Sequence, residues 1–231
     1  MRFYFVLGAF ALAGCSSSYT VTQHGGMRDA LREGNTQARI SFEEITSKPH
    51  SFAVGALTDL EGEITIFDGL IVVAKTNDGV TAKSSTPSGD ETATLLTLAY
   101  VKNWSEDTLP HNLPFEEAVE VVAKRNGIDT DEPFPFYVNA TTTNYEMHVI
   151  NGFCPVASPD LPPEDQPWRL HGEETEMLIV GFFAKNQEGV MTHHGSNIHI
   201  HGLDTSGAEG ASGHLDSVNI APGSTIFVPL K

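Results

Sequence analysis

Short runs that alternate apolar and polar residues dominate the chain, and they predict β-strands more often than helices. Residues 63–67 alternate strictly, and Asp68-Gly69 is typical of a hairpin turn leading into the apolar run 70–74. Asn77-Asp78-Gly79 marks a further turn. The remaining strands are predicted at 52–57, 92–101, 134–138, 145–150, 176–183, 198–203, 214–220 and 225–228, and residues 160–169, rich in proline, are predicted to form a surface loop.

Helical patterns are few. Apolar residues recur at helical spacing from Phe115 to Ala123 behind Pro114, and Gly127 marks the end of that helix. Two shorter pieces are predicted at 27–33 and, behind a capping box at Ser41–Glu44, over one turn before Pro49. Many strands and few helices, in no alternating order, indicate an α+β fold with mostly antiparallel sheet.

The histidines are concentrated near the end of the chain. Four of the ten lie within residues 193–201, and His214 follows a glycine-rich segment. Successive strand residues face opposite ways, so His199 and His201 point to one side and Ile198 and Ile200 to the other. The glycine-rich segment suits a return loop, and an antiparallel return would bring His214 beside the first pair.

Three imidazoles from two neighbouring strands form the ligand set of a catalytic zinc site with an open fourth position. For a bare His-x-His pair, two solvated or hydrogen-bonded histidines are the ordinary alternative. Iron, manganese or nickel would accept the same ligands. Leu203 and Asp204 stand where a metallo-β-lactamase needs its next ligands, and the spacing fits a cupin poorly. His193 and His194 are predicted in a loop at the mouth of the site, with two solvated side chains as the alternative.

The first fifteen residues are typical of a signal sequence for export. Arg2 precedes an apolar run over 3–13, and Leu12-Ala-Gly-Cys15 resembles a bacterial lipoprotein cleavage box. The run is too short to span a bilayer. We therefore predict a signal peptide over 1–15 that ends at a lipidated Cys15, a tether over 16–34 and one domain over 35–231. An ordinary signal peptide is the alternative.

The net charge and the cysteine content limit which partners and which disulfides the protein is expected to have. A formal charge of −17 argues against nucleic acid and anionic lipid as partners. The predicted membrane contact is therefore the lipid anchor alone, at the periplasmic face of the outer membrane. With Cys15 lipidated, Cys154 would be left without an intramolecular disulfide partner. The expected partner is a small molecule, and a homodimer is left open.

Four separated segments, in this order, resemble the α-acetolactate decarboxylase family: 55–69, 178–183, 198–201 and 212–215. The resemblance covers most of residues 35–230. It implies two related subdomains of mainly β structure, and a zinc ion held by His199, His201 and His214. It also implies that Glu63 lies near the metal and takes part in substrate contact and proton handling.

The implied reaction converts 2-acetolactate to acetoin and CO2. Zinc would act as a Lewis acid that stabilises the enediolate left when CO2 departs, and a positioned acid, for which Glu63 is the candidate, would protonate it. Without the resemblance, Glu63 would be interpreted as an exposed carboxylate at a strand end.

The chain departs from the family pattern at several places. Counted from Phe136-Tyr137, the family's arginine position holds Ala140. The small hydroxyl residue seven positions before the glutamate is Ala56, and the family's C-terminal glutamate has no counterpart before Lys231. Residues that could line the pocket or compensate are His193, His194, Asn139 and His148, although a surface or core histidine is the simpler interpretation of His148.

Three functions therefore stand as hypotheses. The first is a zinc-dependent decarboxylase of acetolactate or a similar acid. The second is a different zinc lyase or hydrolase on the same scaffold, acting on another small oxo or hydroxy acid; the predicted export favours it, because acetolactate is made inside the cell. The third is a non-catalytic lipoprotein that binds a metal or a ligand.

Overall fold

The computed structural model describes residues 18–46, 48–153, 160–207 and 210–230. The predictions made for the signal peptide, Cys15 and Cys154 lie outside the described residues. Within them the chain forms two sheets of seven strands each, in which all strand pairs are antiparallel. The predicted α+β class with mostly antiparallel sheet is therefore confirmed.

The first sheet is built from the first half of the chain. Its strands are β1 (Val21–His24), β2 (Ile40–Ser41), β3 (Ser51–Leu57), β4 (Glu63–Phe67), β5 (Leu70–Thr76), β6 (Ala82–Ser85) and β7 (Thr92–Tyr100). Their order is β1-β7-β3-β4-β5-β6, with β2 beside β7. β3 and β7 bury almost every side chain, since both faces of this sheet are covered.

The second sheet is built from the second half. Its strands are β8 (Trp104–Thr108), β9 (Phe134–Val149), β10 (Trp168–Gly172), β11 (Glu176–Phe183), β12 (Ile198–Asp204), β13 (Ser212–Ile220) and β14 (Thr225–Pro229). The first half of β9 pairs with β11 and the second half with β13, while β11, β12 and β13 pair in sequence. These four strands therefore close into a small barrel.

Three α-helices of the described residues cover the sheets: α1 (Met27–Glu33), α2 (Phe42–Thr46) and α3 (Phe115–Arg125). The apolar stripe of α3 is confirmed, because Ala118, Val119, Val122 and Ala123 are buried against the second sheet. The capping box at α2 is also formed: the Ser41 N–H donates to Glu44 Oε2 (3.0 Å), and the Glu44 N–H donates to Ser41 Oγ (3.3 Å). No helix of the described chain is both long and apolar enough to cross a membrane.

Three local predictions are corrected. Residues 134–138 and 145–150 are not separate strands, because the polar segment between them continues β9 and buries Ala140 and Thr142 in alternation. The loop over 160–169 ends earlier than predicted, at β10. The predicted tether over 16–34 contains β1, which pairs with β7, and the helix predicted at 27–33, which is confirmed as α1 and buries Met27 and Ala30.

The two sheets pack against each other through a mixed core. The second sheet contributes Val180 and Phe182 to this core. The first sheet contributes Phe52, Val54 and Ala99, together with Val101, which directly follows β7. In this packing β4 lies against β12 and β13. Polar side chains of β4 therefore come into contact with polar side chains of the second half of the chain.

Candidate metal centre

The register of β12 and β13 brings three histidines together. His201 lies directly opposite His214, and His199 faces the same side two residues earlier. All three side chains are buried, with 6% exposure or less. One ligand nitrogen of each ring lies within 4.8 Å of the others, so one ion could be bound by all three. The convergence predicted from the sequence is therefore present in the structure.

The chemistry of these rings fits a divalent cation. His199 Nδ1 and His201 Nε2 are buried and have no hydrogen-bond partner among the described residues. A buried polar atom without a partner is rare, and a bound ion is one reason for it. Burial, reinforced by the neighbouring histidines, lowers the pKa of His201 to about 3 and those of His199 and His214 well below the usual value. The rings are therefore neutral, which is the state that binds metals.

A threonine of the other sheet orients His201. Thr65 on β4 is fully buried, and its Oγ1 lies 3.1 Å from His201 Nδ1. With Nδ1–H donating to this hydroxyl, the lone pair of His201 is on Nε2, the ring nitrogen without a partner. Such an outer contact fixes the tautomer and the ring plane of a metal ligand.

Glu63 lies beside the three histidines. It is 5% exposed, and its Oε2 is 3.7 Å from His201 Nε2. Its Oε1 accepts a hydrogen bond from the backbone N–H of Ile150 (3.4 Å) and lies 3.8 Å from His148 Nε2. Burial raises the pKa of Glu63 to about 7, although His148 and the Ile150 N–H oppose the shift. Glu63 therefore lies next to the three histidines, and its part in substrate contact and proton handling stays a prediction.

His148 is neither a surface residue nor an ordinary core residue. It lies on β9 opposite His214, with 6% exposure, and the two ring centroids are 4.8 Å apart. Its Nδ1 is 2.8 Å from Asp216 Oδ2, to which Arg169 Nη1 also donates (3.4 Å). His148 therefore links a carboxylate at the surface to Glu63 in the interior.

A cavity of about 620 Å³ opens onto this cluster. His199, His214, Glu63 and His148 line it, and so do His193 and His194 from the loop before β12. The ring of His193 is 4.9 Å from that of His214, and burial lowers its pKa. The predicted position of this histidine pair, in a loop at the site, agrees with the structure.

The structure does not place Asn139 at the cavity. It is exposed on β9 and does not line the cavity. Because β9 is one continuous strand, the nine residue steps from Asn139 to His148 correspond to about 30 Å along the strand. Ala140, the position counted from the Phe-Tyr pair, is buried in the core of the second sheet. The residue of β9 that lies next to Glu63 is His148.

Several residues of the site were not predicted from the sequence. They are Thr65 and Asp216, which contact histidines, and the cavity-lining arginines Arg28, Arg32 and Arg169. Strand alternation offered a signal for Thr65, two residues after Glu63, and for Asp216, two residues after His214. For Arg28 and Arg32 there was no such signal, because the short helix predicted at 27–33 was assigned to the tether and not to the domain that holds the site.

Comparisons with known proteins give the fold. No protein-family model and no curated protein sequence matches the chain. Among solved structures, the chain is similar to α-acetolactate decarboxylase from Bacillus subtilis strain 168, with a TM-score of 0.70 and 15% identity over 91% of this chain and 85% of that chain. The acetolactate decarboxylase of Bacillus subtilis subspecies spizizenii gives a TM-score of 0.68 and 15% identity over 91% and 86% of the two chains.

A third solved structure is similar to the chain in fold. A protein of unknown function from Staphylococcus aureus, described as similar to α-acetolactate decarboxylase, gives a TM-score of 0.65 and 15% identity over 90% and 84% of the two chains. The chain therefore has the α-acetolactate decarboxylase fold along most of its length. At this level of identity the similarity concerns the fold, and the chemistry has to be argued from the side chains.

Proposed function

We propose that this protein is a metal-dependent lyase that removes CO2 from a 2-hydroxy-3-oxo acid of the acetolactate type. The observation that carries the proposal is the buried group of His199, His201 and His214 with Glu63 beside it, in which two ring nitrogens have no hydrogen-bond partner among the described residues. The shared fold raises the expectation of this chemistry but does not decide it.

The residues present fit a divalent ion, and zinc is the first candidate. When bound by the three imidazoles, it would act as a Lewis acid on the chelating oxygens of the substrate and withdraw electrons as CO2 leaves. The cluster is buried, so a charge that develops there interacts more strongly than it would in water.

Glu63 is the proposed proton donor. The bond between the carboxylate and its neighbouring carbon breaks, CO2 leaves, and the electron pair stays on the remaining fragment as an enediolate. A proton from the Glu63 carboxyl then adds to that fragment and gives the hydroxyketone. The raised pKa of Glu63, about 7, suits a carboxyl that must hold a proton near neutral pH.

His148 and Asp216 are proposed to return a proton to Glu63. The Asp216 carboxylate accepts the Nδ1–H of His148, so the proton to be returned is the Nε2–H of the ring when both nitrogens are protonated; Nε2 lies 3.8 Å from Glu63 Oε1. Since Asp216 is partly exposed, the pair forms a path from solvent to the buried carboxyl. Their role is to position and reload the donor.

The direct test is turnover of racemic 2-acetolactate by the metal-reconstituted protein, followed as acetoin formed and CO2 released. The Glu63→Gln variant should keep its metal and lose turnover by about 10²–10⁴-fold, the range for loss of a general acid. His199→Ala should lose both metal and turnover. His171→Ala, an exposed histidine of β10 outside the cavity, is the matched control and should keep both.

The outcomes separate the competing functions. Metal retained without acetoin formation contradicts the decarboxylase and leaves a different lyase, a hydrolase or a binding protein. Metal retained by His199→Ala contradicts the metal centre itself. Full turnover by Glu63→Gln removes Glu63 from the reaction.

A further inference from the structure

Two arginines of α1 line the cavity. Arg28 and Arg32 are one helical turn apart and lie on the face that also presents Met27 and Leu31 to the cavity. The backbone holds this face in place, because the Arg28 N–H donates to Gly189 O (2.8 Å) in the loop that leads to His193 and His194. Both arginines, exposed to solvent on their other side, therefore contribute to the wall of the cavity.

These two cations have no carboxylate partner in the described structure. The arginines that form ion pairs there are Arg39, Arg125 and Arg169. Arg28 Nη2 instead lies 3.4 Å from His194 Nε2, and the other ring nitrogen of His194 lies 3.3 Å from Glu188 Oε2. In a chain with 30 acidic and 13 basic residues, two unpaired arginines on one cavity wall form a local positive field.

The acidic residues of the same cavity are already engaged. Glu63 is buried among His148 and His201. Glu116 accepts hydrogen bonds from the Ser196 hydroxyl (3.1 Å), from the Asn197 backbone N–H (3.0 Å) and from the Asn197 side-chain amide (2.5 Å). Asp216 is bound by His148 and Arg169. None of these three contacts Arg28 or Arg32, and Asp29 of α1 is bound by Arg39 (3.1 Å) and Asn35 (2.6 Å). The two arginine side chains are therefore available to an anion from solution.

The cavity is larger than a short oxo acid requires. Its volume of about 620 Å³ lies within the range of about 300–1,000 Å³ that holds drug-sized ligands. Leu31, Leu95 and Ile150 contribute apolar wall. The space beyond the histidines therefore suits an aliphatic chain, and the arginines suit a second charge at its end.

We propose that the natural substrate is dianionic. Its oxo-acid head lies at the three histidines and a carboxylate on its aliphatic tail is bound by Arg28 and Arg32, whose planar donors match a carboxylate. This inference rests on the proposed function for the placement of the head. It assigns to α1 the choice between mono- and dicarboxylic substrates.

Two probes of equal length test the proposal: 2-oxoadipate, and 2-oxohexanoate, which lacks the terminal carboxylate. Isothermal titration of the metal-loaded protein at low salt should show that 2-oxoadipate binds about tenfold more tightly, in line with charge-assisted hydrogen bonds. Added salt should reduce this advantage. Arg28→Ala/Arg32→Ala should abolish it and leave the Kd of 2-oxohexanoate unchanged.

Controls separate charge from fold. Arg28→Lys/Arg32→Lys should keep part of the advantage, and Lys102→Ala, an exposed cation outside the cavity, should keep all of it. Metal content of the double alanine variant should equal that of the parent protein. Should that variant fail to fold, the single variants Arg28→Ala and Arg32→Ala give the same comparison.

Equal Kd values for the two probes, no binding of either, or an advantage that survives in the folded arginine variants would overturn the inference. Its failure is distinct from failure of the proposed function. The proposed function depends on metal content and CO2 release, whereas this inference depends on the ratio of two dissociation constants.

Discussion

Thr65 and His201 are hydrogen-bonded across the two sheets, with 3.1 Å between Thr65 Oγ1 on β4 and His201 Nδ1 on β12. Glu63 lies two residues before Thr65 on the same strand. Its Oε2 is 3.7 Å from Nε2, the other ring nitrogen of His201. The candidate metal centre is thus completed by residues from both halves of the chain. Its geometry depends on how the sheets pack.

Thr65→Val should weaken metal binding. Valine keeps the shape but removes the hydroxyl, so the His201 Nδ1–H loses its acceptor and the ring loses its fixed tautomer. We expect a loss of metal affinity of about 10–100-fold, as for other outer contacts of ligand histidines. Competition with a chromophoric chelator measures it. Thr65→Ser should retain the parent affinity, and an unchanged affinity in Thr65→Val would contradict the orienting role.

Removal of the metal should lower the melting temperature. An ion that binds the folded state alone stabilises it, by about 2.7 kcal/mol when its free concentration is 100 times Kd. Scanning calorimetry before and after chelation, and after zinc is restored, tests this. The His199→Ala protein should show no response to either treatment. A melting temperature that chelation leaves unchanged would argue against a resident ion.

Phe52→Ala should destabilise the contact between the sheets. Phe52 is 3% exposed, and its ring centroid lies 5.4 Å from that of Phe67 on its own sheet and 4.7 Å from that of Trp104 on the other. Loss of a buried phenylalanine costs about 3–5 kcal/mol of unfolding free energy.

Urea unfolding measures that cost. Leu70→Ala, at a side chain with 55% exposure, is the matched control and should change the unfolding free energy by no more than about 0.5 kcal/mol. A cost below about 1 kcal/mol for Phe52→Ala would mean that the aromatic contacts are dispensable.

Glu120 should make stability depend on pH in the acid range. Lys124 and Lys185 each place Nζ 2.8 Å from Glu120 Oε1, and their hydrogen bonds lower its pKa from 4.5 to about 2. Because the folded pKa is the lower one, the stabilisation is full above the unfolded value and is lost as pH falls from about 4.5 toward 2.

A comparison with Glu120→Gln isolates this contribution. The parent should be the more stable protein in urea at pH 6, and the difference should shrink steadily between pH 4.5 and the lowest pH at which both fold. Glu117→Gln, an exposed position on the same helix, should show no such trend. A difference that is independent of pH would contradict the ion pairs as its source.

The sequence alone determined the features that depend on local geometry. Strand alternation placed His199 and His201 on one face, and the helical repeat defined α3 almost to its ends. The glycine-rich return predicted the pairing that sets His214 opposite His201. Lipidation of Cys15 and export remain predictions.

The tertiary structure decided what surrounds the three histidines. Glu63 and Thr65 reach them from a strand that is distant in sequence, His148 through a continuous β9, and the arginines through a helix that packs on the first sheet. The direction of a side chain along a strand follows from the backbone of neighbouring residues. Which faces of two sheets meet depends on the burial of apolar surface over the whole chain, and no local pattern contains that information.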